Sequence, residues 1–97
     1  MSVVDEYLAA SWDRTRGHLS RAWVELPAGD SDELAWYVEF LDYNELELAM
    51  EALEEAGRHR GASAAFWLAL TDAAEEMRLP SKAAQYRRLS SPMKDPG

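Results

Sequence analysis

Apolar residues recur along this chain at intervals of three and four, the spacing that lines one face of a helix. Val4, Leu8, Trp12, Thr15, Leu19, Ala22 and Leu26 form the first such stripe and predict a helix from about residue 3, with Gly17 a candidate break or bend. Pro27 closes it, because the residue before a proline is pushed out of the helical region, and "PAGDSD" reads as a turn. Leu34, Val38 and Leu41 mark the core side of a second helix ending near Tyr43, and Leu46, Ala49, Met50, Leu53 and Ala56 that of a third. Phe66, Ala69, Leu70, Ala73 and Met77 give a fourth, while Ala83, Tyr86 and Leu89 give a short fifth. Only "AWVEL", residues 22–26, has a composition in which a strand could replace helix. The pattern predicts an all-α fold, a small bundle of about four to five helices over residues 1–90, with a patternless tail at 91–97.

Local chemistry sharpens the boundaries. Asp30 or Ser31 is placed to cap the second helix, with Asp32 and Glu33 in its first turn. Asn44 and Glu47 have the spacing of a capping box at the start of the third. Gly57 falls where a left-handed C-terminal cap is expected, and Pro80 suits the first turn of the fifth.

Charge changes the picture most. The net −8 of the 97 residues is local: residues 1–21 are neutral, residues 58–97 carry +3, and residues 22–57 hold eleven acids and no Lys or Arg. Such a patch repels nucleic acid and anionic lipid and attracts basic surfaces. No apolar run is long enough to span a bilayer, and "MSVVDEYLAAS" has acid where a secretion signal has a basic segment. The expectation is a soluble cytoplasmic protein, stabilised without disulfides since there is no cysteine, and with ten aromatic residues to build its core.

Catalytic signatures do not emerge. His18 and His59 lie in or beside basic segments, with no carboxylate or second His at metal-ligand spacing on one helical face, and read as surface residues near helix ends. No phosphate-cradling glycine loop, nucleophile elbow or zinc-protease signature is present. Carboxylates are abundant, but general acid–base chemistry needs two in different environments within a cleft. No cofactor or metal is expected, and a metal-dependent enzyme ranks last among the functional classes.

The acids of "VEFLDYNELELAMEALEEAG", residues 38–57, divide by cause. Glu45 and Glu47 lie in the first turn of the third helix, where the macrodipole favours acid. Glu54 precedes Arg58 by four residues and reads as a helix-surface pair worth about 0.3–0.5 kcal/mol. Glu51 and Glu55 have no such explanation. They repel each other across one turn, Glu47 precedes Glu51 by another, and Glu55 sits at the helix end that disfavours acid. With Glu39 and Asp42 from the second helix, Glu47, Glu51 and Glu55 form the candidate partner-binding face. Trp36 and Phe40, four apart beside the Leu34 stripe, read first as a wide core face and second as an interface anchor beside an acidic rim.

The run Phe40-Leu41-Asp42-Tyr43-Asn44-Glu45-Leu46-Glu47-Leu48-Ala49, an apolar-apolar-Asp turn followed by acid and an amphipathic Leu/Ala helix, resembles the Maf-type immunity proteins of bacterial polymorphic toxin systems. The likeness spans about 20 residues and extends more weakly through "FWLALTDAAEEMRL". It departs at Tyr43-Asn44, where that family often has a smaller or His-Gly-like pair, and no functional residue is carried over. The resemblance implies a small acidic helical protein, not an enzyme, that neutralises a cognate toxin by direct binding. Many such toxins act on nucleic acid through basic clefts, which an acidic helical face could occupy in place of phosphate. The alternative class is a structural or adaptor module that binds a partner helix or self-associates through the Trp36 and Phe40 side.

Overall fold

Gly17 does not break the first helix. In the computed structural model, which describes residues 3–29 and 32–91, α1 runs unbroken over Val3–Glu25 and takes up most of the "AWVEL" stretch. Nothing lies within 4 Å of where a Cβ at Gly17 would be, so the glycine serves neither a turn nor a close approach. The other helices are α2 (Asp32–Asp42), α3 (Leu46–Arg60), α4 (Ala64–Glu76) and α5 (Pro80–Ser90), and the described residues contain no strand. The all-α bundle is therefore the fold. The expected cap at Asp30 or Ser31 and the tail from residue 92 lie outside the described residues.

α4 is the centre of the bundle, flanked by α1 and α5, and α2 packs on α3. Its buried Ala69, Ala73 and Ala74 let neighbouring helices approach closely, while Phe66, Trp67 and Leu70 fill the space between them. α1 lies antiparallel to α4: Arg21 pairs with Asp72 at 3.5 Å, and Arg14 forks onto Glu76 with N–O distances of 3.0 and 2.9 Å. Ser11 donates to the same carboxylate at 2.8 Å. Below that point α1 extends past the end of α4, with Arg78 reaching the Tyr7 hydroxyl at 3.4 Å, and Tyr7, Leu8 and Trp12 are exposed although Leu8 and Trp12 continue the apolar stripe. Leu19 and Ala22, further along it, are fully buried. The buried hydroxyls of Thr15 and Thr71 donate to the carbonyls of Ser11 and Trp67, one turn back, so neither costs an unmade hydrogen bond.

Left-handed residues reverse the chain at three helix ends. Asn44 (φ 56°), Gly61 (φ 65°) and Arg78 (φ 60°) follow α2, α3 and α4. At the first, Glu45 N–H bonds back to Phe40 C=O at 2.8 Å and Asn44 N–H to Leu41 C=O at 3.0 Å, the paired pattern that satisfies orphaned carbonyls at a helix terminus. Asn44 thus ends α2 instead of starting α3, and the expected capping box with Glu47 does not form; Glu45 stands at the N-cap without a side-chain cap.

Gly57 is likewise reassigned. α3 continues past it to Arg60, and Gly61 supplies the left-handed cap. A Cβ on Gly57 would lie 2.3 Å from the ring of Phe66, so the glycine permits close contact between α3 and α4. On α2 the buried face is rotated from the expected stripe: Tyr37 is buried and stacks on Trp23 of α1 with centroids 4.9 Å apart, whereas Val38 is exposed. On α5, Ala83 and Tyr86 are buried and Leu89 is 37% exposed.

These two glycines make a controlled comparison. Gly57→Ala is expected to cost about 1–3 kcal/mol, because the buried Phe66 ring must shift. Gly17→Ala, at an open helical position, is expected to add about 0.5–1 kcal/mol. Urea-unfolding midpoints of the two variants should move in opposite directions.

Candidate acidic and aromatic groove on the second and third helices

The short turn at Tyr43, Asn44 and Glu45 folds α3 back against α2 and sets a groove between them. The groove has a volume of about 880 Å³, with Trp36 and Phe40 of α2 on one side and Leu48, Glu51, Ala52 and Glu55 of α3 on the other. Asp32, Arg58 and His59 also line it. Trp36 is 60% exposed, which removes it from the core, and its ring stacks on the partly buried Phe40 at 5.9 Å with an interplanar angle of 27°. Of the two accounts of this aromatic pair, the wide core face holds for Phe40 and fails for Trp36.

The structure therefore brings Glu51 and Glu55, the two acids that local helix physics leaves unexplained, to the groove that the exposed Trp36 lines. Glu39, Asp42 and Glu47 are exposed on the same two helices but do not line the groove. Sequence reasoning missed Leu48 and Ala52. They form a second apolar row beside the buried stripe, four residues apart, and that row was the available signal.

α2 is held in place from α1 as well as from α3. The Arg16 guanidinium donates to Leu41 C=O at the carbonyl end of α2 and, at 3.1 Å, to Asn44 Oδ1. A cation there neutralises the negative end of the helix dipole and satisfies a terminal carbonyl. Burial pushes the Tyr37 hydroxyl up to about 12, against the opposing influence of Arg16. The α1–α2 connection is tied down by Arg60, which donates to Pro27 C=O at 2.8 Å and lies against Gly29.

Glu54 departs most from expectation. Its side chain is only 12% exposed, and it joins α3 to α5: it accepts from Tyr86 OH at 2.6 Å, Lys82 Nζ at 3.0 Å and Gln85 Nε2 at 3.4 Å, as well as from Arg58 Nε at 3.2 Å. Burial pushes its pKa up, but the hydrogen bonds from Tyr86, Lys82 and Arg58 together outweigh that and leave it below the ordinary glutamate value. Burial and the same carboxylate push the Tyr86 hydroxyl strongly up. Arg58 is further occupied by the Trp67 ring, 5.8 Å from its centroid. By contrast, neither Glu51 nor Glu55 has an ion-pair partner among the described residues.

Among the described residues, no group of three or more His, Cys, Asp or Glu is arranged to hold a metal ion, and no helix is long and apolar enough to cross a membrane. His18 accepts from Arg21 on the surface of α1. No protein-family model, curated protein or solved structure matches this chain.

Because its pKa is lowered on folding, Glu54 contributes stability that is full above the ordinary glutamate pKa and is lost as pH falls through the folded-state value. Glu76, lowered by its hydrogen bonds from Arg14 and Ser11, acts in the same direction. Glu54→Gln is expected to cost about 2 kcal/mol at neutral pH, on the scale of hydrogen bonds to a charged group. It should also flatten, without abolishing, the loss of stability between neutral and acid pH. Unfolding free energies measured across that range would show an unchanged slope if Glu54 were only a surface residue.

Proposed function

We propose that this protein is an immunity protein that neutralises a cognate bacterial toxin by direct, non-enzymatic binding of a basic surface on the toxin. The observation that carries the reading is the placement of Glu51 and Glu55, without a cationic partner among the described residues, beside a tryptophan that is 60% exposed. The two glutamates cost folding energy where they stand. A like-charge pair one turn apart is unfavourable by about 0.2–0.5 kcal/mol, and a protein carries such a conflict most readily where binding offsets it. The exposed aromatic supplies the desolvated anchor that a purely electrostatic surface lacks, and the acids around it supply steering. The likeness of residues 40–49 to Maf-type immunity proteins supports the same conclusion. A basic, nucleic-acid-handling cleft is the kind of toxin surface this face would fit, and a cytoplasmic location follows from that role.

The adaptor reading, in which Trp36 and Phe40 bind another helix or a second copy, is less well supported, since an apolar contact alone leaves Glu51 and Glu55 without a role. A two-fold pairing of this face would gather the acids of both copies into one interface, whereas a basic partner supplies the opposite charge throughout.

The decisive experiment is growth rescue: the C-terminal region encoded by the neighbouring gene is expressed with and without this protein. Rescue is expected with the native chain and is expected to fail for Glu51→Lys combined with Glu55→Lys. Absence of rescue by the native chain would refute the immunity role. Glu55→Gln alone should raise stability by about 0.2–0.5 kcal/mol while weakening toxin binding, a divergence measurable by urea unfolding and calorimetry on the same sample. Binding should also weaken with added salt, since exposed charge pairs are screened.

A further inference from the structure

The geometry points to a seat for an arginine side chain of the partner in the α2–α3 groove, its guanidinium flat on the Trp36 ring and its N–H donors on the carboxylates of Glu51 and Glu55. This rests on the reading that the face binds a basic protein, and it names the group that is bound. Three observations converge on it. First, the Trp36 ring is available and oriented: it is 60% exposed, yet its stacking on Phe40 limits how it can turn. Second, Glu51 and Glu55 stand one helical turn apart on the opposite wall, and neither has an ion-pair partner among the described residues. Third, the chain's own arginine on this groove is committed elsewhere, since Arg58 donates to Glu54 at 3.2 Å and lies over Trp67.

Other occupants fit less well. Phosphate and nucleic acid meet like charge. A hard divalent cation needs about six oxygen ligands, and the described residues offer no cluster of that kind. Between the two basic side chains, lysine presents a strongly hydrated point charge, whereas guanidinium is planar, weakly hydrated, stacks on an indole and forks onto carboxylates. A groove with an aromatic wall and two carboxylates one turn apart matches the second set of properties.

The test uses the full chain labelled with nitrogen-15 and a capped, alanine-rich helical peptide carrying two arginines four residues apart, with a lysine version as the paired probe. The Trp36 indole N–H is assigned by its loss in Trp36→Phe, which separates it from Trp12, Trp23 and Trp67. The arginine peptide is expected to shift that resonance and the amides of Glu51 and Glu55. The lysine peptide is expected to bind about five-fold more weakly or worse. Trp36→Ala and Glu51→Gln, whose folding is checked by circular dichroism, should each weaken the arginine peptide by a similar factor. Equal binding of the two peptides, no loss in Trp36→Ala, or no shift of the Trp36 indole would overturn the arginine seat.

The same variants separate this proposal from the one it rests on. If Trp36→Ala keeps full growth rescue while Glu51→Lys with Glu55→Lys abolishes it, toxin binding by the acidic face stands and the seat on Trp36 fails. If the arginine peptide binds in a Trp36-dependent way but the native chain gives no rescue, the seat is supported and the immunity role is refuted.

Discussion

The carboxylate of Glu54 organises this protein. It lies between α3 and α5 and receives Tyr86, Lys82, Gln85 and Arg58, which engages two of the positive charges nearest to α3. A partly buried carboxylate is tolerable only when its acceptor capacity is filled, and here four donors fill it. The rest of the charge distribution follows. With Arg58 committed to Glu54 and to Trp67, the α3 face bearing Glu51 and Glu55 lacks a neutralising ion pair among the described residues, although Arg58 follows both within two turns of the helix. One glutamate ties α5 to α3, and the cations it takes up are not shared with Glu51 or Glu55.

The groove also depends on where α2 stops and how it is held. α2 packs by its backbone against α3 alone; α1 reaches it through long side chains, Arg16 at its carbonyl end and Trp23 against Tyr37. Such an element can bury Tyr37 toward the bundle while Trp36, the adjacent residue, is left out, because successive side chains on a helix point about 100° apart. The left-handed Asn44 makes the turn tight enough for α3 to return alongside α2, and its side-chain oxygen completes the link to Arg16. Fold and candidate site therefore share residues. The same turn that closes α2 sets the walls of the groove.

Much of the protein could be read before the structure. Five helices and their approximate limits follow from spacings of three and four, since that period is imposed by backbone geometry that each segment carries by itself. The concentration of acid in residues 22–57, and the failure of local helix physics to account for Glu51 and Glu55, are also properties of the chain alone. Both are one-dimensional facts, and the structure agrees with the first and gives the second a location.

What only the tertiary structure decided depends on neighbours that are remote in sequence. Glu54 looked like a surface pair because Arg58 is four residues away, while Lys82, Gln85 and Tyr86 are about thirty. Gly57 looked like a cap because nothing local shows that the Phe66 ring will press on it, and Asn44 like an N-cap because an asparagine suits both ends of a helix. Val38 and Trp36 were misassigned for a common reason: periodicity shows that a helix has an apolar side, but the number and direction of its neighbours determine how much of that side is covered. α4 has neighbours on both flanks and buries Phe66, Trp67, Ala69, Leu70, Ala73 and Ala74; α2 has fewer, and the uncovered part of its aromatic surface is the wall of the groove.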